Sequence, residues 1–151
     1  MKKIILLFSF YLLSINFISA QQMQRQRIKL LKTSFITDAI NLTPKEAEEF
    51  WPIYNLYTKK IQRLKINNET SFKTEVRIAG GIDYITENQA QKLIDNSLKI
   101  EQQITDAKIS MVNELSTVIS GKKILLLKKA ERSFNRKMLQ ELGKRRRMQG
   151  Q

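Results

Sequence analysis

A chain of 151 residues with 27 Lys and Arg against 14 Asp and Glu carries a formal charge of +13, and its 42% apolar content suffices for a folded core. It contains neither Cys nor His, which excludes disulfide scaffolds, thiol chemistry, zinc fingers and every catalytic dyad or triad that needs imidazole or thiolate. Five Gly and two Pro are too few for a protein of many strands and tight turns, so an all-α fold is expected.

Residues 1–20 have the form of a secretory signal peptide. Met1-Lys2-Lys3 is a short positive start, Ile4 to Ile18 is almost wholly apolar, and Ser19-Ala20 supplies small residues before Gln21. The apolar run is shorter than the ~20 residues a membrane-spanning helix needs, so cleavage after Ala20 is expected and not anchoring. Export from the cytoplasm is the expectation. A folded domain over residues 21–142 and a basic disordered tail over 143–151 complete the expected organisation.

In the mature part, Ile28, Leu31, Phe35, Ala39 and Leu42 recur at three- and four-residue steps, which predicts a helix from Gln22 to about Asn41. Leu42-Thr43-Pro44-Lys45-Glu46 then announces a second helix. Thr43 can cap it, Pro44 fits the first helical position, and Glu46 can reach back to complete a capping box. The apolar face continues through Phe50, Tyr54, Tyr57, Ile61, Leu64 and Phe72, with Pro52 expected to bend the helix. Fraying is expected between Glu69 and Ala79, and a break at Gly80-Gly81.

Ile85-Thr86-Glu87-Asn88-Gln89 repeats the start signal. A third helix is expected to run to about Ile119, with Ile104, Met111 and Val118 spaced by heptads. After Ser120-Gly121 a fourth should extend from Lys122 to Leu142 and stop at Gly143, its buried stripe being Leu127, Ala130, Phe134, Met138 and Leu142. No segment alternates in steps of two, so no strand is expected. The length of the third helix predicts an elongated molecule, and dimerisation is expected because one layer of helices cannot bury all its apolar stripes.

Little in the chain suggests an enzyme. Glu48 and Glu49 do not face each other on a helix, and Ala79-Gly80-Gly81 lacks the Lys and Ser/Thr that follow a phosphate-binding loop. The methionines form no cluster. No catalytic residue, cofactor or metal is therefore assigned. The densest local feature is aromatic: Phe50, Trp51, Pro52, Tyr54 and Tyr57. It can be core packing at a kink or an apolar docking surface.

Charge is unevenly spread. Residues 21–120 hold 14 basic and 12 acidic residues, whereas residues 121–151 hold 11 and 2. Lys144, Arg145, Arg146 and Arg147 lead into a polar tail. They can be a solvated helix end that complements the dipole, or a contact for anionic partners such as lipid headgroups, polysaccharide or acidic polypeptides. Nucleic acid would use the same charges, but export argues against it.

The two start signals resemble the paired Leu-Thr-x-x-Gln motifs of the Spy/CpxP family of small periplasmic helical proteins. The second copy departs at Ile85, and the first has Glu46 in place of Gln. The stretch Leu42 to Tyr57, with its Phe-Trp-Pro-x-Tyr run, is also similar to small exported proteins of Bacteroidetes often labelled sensors of extracytoplasmic-function sigma factors. The resemblance covers about residues 25–142. It implies a periplasmic location and a thin, elongated, bent antiparallel helical hairpin that dimerises into a cradle, with Thr43, Glu46, Thr86 and Gln89 as helix caps. Members bind unfolded proteins without ATP or repress envelope-stress signalling. Metal-sensing members use His and Met, and this chain has no His. The partners so implied are unfolded polypeptides or a dedicated signalling protein such as an anti-sigma factor or sensor kinase. A surface role on anionic membrane or polysaccharide is the further alternative.

Overall fold

The computed structural model describes residues 23–24 and 26–149, with the side chains of 145, 146 and 149 excepted. The expected signal peptide and its cleavage site lie outside the described residues. Among the described residues every regular element is helical: α1 (26–40), α2 (Pro44–Ile78), a 3₁₀ turn (Ile82–Tyr84), α3 (Glu87–Leu115) and α4 (Gly121–Gln149). The described residues divide into two compact units, one over 42–124 and the other made of those before residue 42 and those after residue 124.

In the first of these, α2 and α3 form an antiparallel hairpin. Tyr57 meets Glu114 and Asn68 meets Ser97, so the two helices run past each other in opposite directions. At 35 residues and 1.5 Å per residue, α2 alone is about 50 Å long. It remains helical through Pro52 and does not fray after Glu69. Its end is set by backbone geometry. Gly80 and Gly81 have φ of +88° and +133°, and their N–H groups donate to the carbonyls of Arg77 and Val76 (3.1 and 2.9 Å). This is a Schellman closure, and it needs residues that enter positive φ freely.

The third helix is shorter than expected, stopping at Leu115. Ser116 and Thr117 donate their hydroxyls to the carbonyls of Val112 and Glu114 (2.7 Å each), local bonds that compete with further helix. Ser120 then starts α4 by accepting from the Lys123 N–H at 3.4 Å. Buried positions in this unit are Leu42, Phe50, Tyr54, Tyr57, Ile104, Ala107, Leu115, Ile119 and Ile124.

The second unit holds α1 and the rest of α4, also antiparallel. The rings of Phe35 and Phe134 meet at 5.6 Å, and Ile28 and Leu31 share a groove with Met138 and Leu142. Two expectations are corrected here. On α1 the fully buried residues are Ile36 and Ile40, whereas Ile28, Leu31 and Ala39 are exposed. The helix has two adjacent apolar stripes, and contact with the facing helix decides between them. Nor does α4 stop at Gly143: residues 143–149, expected as a disordered tail, form its last two turns to Gln149. A helical Gly costs only about 1 kcal/mol relative to Ala, and the strong helix formers and dipole-complementing cations around it offset that.

Candidate functional site

Both sequence motifs fold as capping boxes. The Thr43 N–H donates to Glu46 Oε2 at 2.8 Å while the Glu46 N–H donates to Thr43 Oγ1 at 3.3 Å. In the second copy the Thr86 N–H donates to Gln89 Oε1 at 3.0 Å and the Gln89 N–H to Thr86 Oγ1 at 3.4 Å. Each box satisfies two backbone donors that a helix start leaves open. Leu42 and Ile85 stand just before the caps, with Ala47 and Ala90 at the positions a hydrophobic staple uses.

The boxes differ in what else holds the third residue: in the second, the Thr86 hydroxyl also donates to Gln89 Oε1 at 2.8 Å. Glu46 has a second partner that Gln89 lacks, the ammonium of Lys123, whose Nζ lies 2.6 and 2.8 Å from the two carboxylate oxygens. That contact, with the Thr43 N–H behind it, lowers the Glu46 pKa to about 2. The acid at this motif position thus joins the start of α2 to the first turn of α4. Lys123 had no signal in the sequence, because nothing local pairs residues 77 positions apart.

The aromatic cluster is core. Phe50 is fully buried, stacked on Tyr54 (centroids 5.4 Å, planes 15° apart) and met edge-on by Trp51 at 5.0 Å. Tyr54 and Tyr57 are buried, Trp51 is half-buried, and only Pro52 is exposed. Phe50, Tyr54 and Tyr57 therefore belong to the hairpin's core. The Tyr57 hydroxyl donates to the Glu114 carboxylate, which pushes the phenol's pKa up.

Exposed apolar surface gathers instead at the far end of the hairpin. Phe72, Ile82, Ile85, Leu93 and Ile94 line an open concavity of about 360 Å³ with Ala90 and Ser97. Ile82 is 65% exposed and Ile94 52%, and Leu98 continues the row one helical turn beyond Ile94. The sequence held one sign of this: Ile82-Asp83-Tyr84-Ile85 is an apolar stretch between a glycine break and a helix cap, with no helix of its own to bury it. A longer, more polar groove lies nearer the hairpin's middle, with Asn68, Glu69, Ser97, Glu101 and Lys108 among its walls.

At the chain's basic end, Lys144 is exposed and lies 3.4 Å from Glu141, and Arg147 is exposed. The side chains of Arg145 and Arg146 fall outside the described residues. Among the described residues no helix is long and apolar enough to cross a membrane, and no three acidic side chains converge as metal ligands would. Comparison with family models, with curated proteins and with solved structures finds no match for this chain.

Proposed function

We propose that this chain is an exported, ATP-independent, chaperone-like protein that binds other polypeptides through the far end of its α2–α3 hairpin. The observation that carries this is the open apolar concavity there. Monomeric domains seldom leave so many large apolar side chains together at the surface without a use for them. Charged residues, among them Lys73, Asp83, Glu87 and Lys92, are exposed in the same stretch. Such a surface can hold exposed apolar side chains of an unfolded chain while charges keep the complex in solution. The paired motifs and the signal-like residues 1–20 agree with a role outside the cytoplasm.

Suppression of aggregation tests it. Equimolar protein should keep an unfolded model client in solution without nucleotide, and I82S/I94S should lose most of that effect while retaining the helical circular dichroism. Absence of suppression at several-fold excess refutes general client binding. Recovery of one stoichiometric partner from a periplasmic extract, in place of many, would make the same concavity the docking site of a dedicated signalling partner.

A further inference from the structure

The outward face of α4 carries cations without acids. Successive residues of a helix turn by 100°. Centred between Arg132 and Arg136, an arc of about 60° to either side takes in Lys128, Lys129, Arg147, Leu125 and Leu139, all exposed. The two acids of α4, Glu131 and Glu141, stand about 120° and 160° from that centre, on the flank of the buried residues Leu127, Ala130 and Phe134. From Leu125 to Arg147 the face is about 33 Å long.

Two features say what such a face fits. Leu125 and Leu139 are 68% and 70% exposed and lie on the same line as the cations. A sugar or phosphate polymer has nothing to offer them, whereas the boundary between headgroups and acyl chains does. Near the end of the face, Arg136, Lys144 and Arg147 surround a shallow notch that Leu139 and Gly143 line. A Cβ built on Gly143 would meet nothing within 4 Å. The notch is open, with Arg136 and Arg147 beside it and Lys144, which pairs with Glu141, on its flank, so guanidinium groups border a space that a phosphate headgroup can enter.

We propose that this face of α4, from Leu125 to Arg147, docks on an anionic phospholipid bilayer. The long axis of the helix would lie along the surface, the cations on headgroup phosphates and the two leucines in the acyl boundary. This is independent of the polypeptide-binding surface on the α2–α3 hairpin.

Co-sedimentation with vesicles tests it, using the chain from Gln21, which retains every described residue. Vesicles of phosphatidylcholine with about a third phosphatidylglycerol should carry the protein down, and phosphatidylcholine alone should not. Removing two cations with R132Q/R136Q should lower the partition coefficient about thirty-fold, as about 1 kcal/mol per cation near an anionic surface converts. L125Q/L139Q should also weaken binding, although it changes no charge. The pair K59Q/K60Q on α2, also exposed, should bind nearly as the parent does. Equal binding to uncharged vesicles, or an equal loss in K59Q/K60Q, overturns the proposal. So does full binding by L125Q/L139Q together with loss in R132Q/R136Q, which would leave a purely electrostatic attraction with no leucine in the acyl boundary. Helical circular dichroism and unchanged suppression of client aggregation in the α4 variants separate a failed membrane face from a failed fold or a failed chaperone reading.

Discussion

Replacing Phe50 with alanine distinguishes a packed aromatic cluster from a docking surface. Phe50 is 0% exposed, stacked on Tyr54 and edge-on to Trp51. Burying such a ring contributes about 1.5–3 kcal/mol, and each aromatic pair adds about 0.5–1.5 kcal/mol beyond its area. With the cavity left behind, truncation should cost about 4 kcal/mol, within the range of about 3–5 kcal/mol for core Phe→Ala changes. Domains are stable by only about 5–15 kcal/mol, so the loss is a large fraction of the whole. In urea, with a slope of about 2 kcal/mol per M, the unfolding midpoint should fall by about 2 M. A loss below about 1 kcal/mol, with client binding abolished, would refute the assignment of this ring to the core.

Three further outcomes follow from the geometry. Glu46→Gln should preserve the capping box, as Gln89 does in the second copy, and remove the ion pair with Lys123. Because the folded carboxyl titrates near 2 and not at its ordinary 4.5, its contribution is present above 4.5 and fades as pH falls toward 2. The stability difference between parent and E46Q should therefore be steady above about pH 5 and shrink below it, and a constant difference down to pH 2 would contradict the contact. Gly81→Ala and Gly143→Ala should act in opposite directions. The first forces a side chain into a φ of +133° and should cost about 1–3 kcal/mol by urea unfolding. The second adds a Cβ in open space inside a helix and should strengthen the last turns of α4 by about 0.5–1 kcal/mol, visible as slower amide exchange at Lys144 to Arg147.

Local chemistry was the part most legible in the sequence. Both capping boxes are visible because their donors and acceptors lie three residues apart, and the glycine break shows because few other residues enter positive φ. The Ile36–Ile40 stripe could not be told from its neighbour, since periodicity names a set of faces and only contact with the facing helix selects one. The helix beyond Gly143 is hidden because a lone glycine is a common helix stop, and the helix formers on both sides outweigh it here. The pairing of Lys123 depends on which residues the two turns between α2 and α4 bring together, and the concavity around Ile82 on what faces that short apolar stretch across the hairpin, information no local window contains.

The contact between Glu46 and Lys123 closes a loop of 77 positions at its base. The entropy of closing such a loop grows slowly, by about 0.6 kcal/mol for each doubling of its length. Paired turns of α2 and α3 could therefore be inserted or removed between the clasp and the tip at small cost in closure. The anchored base and the apolar tip are separable in this sense: the reach of the hairpin can change while the way it is fastened stays the same.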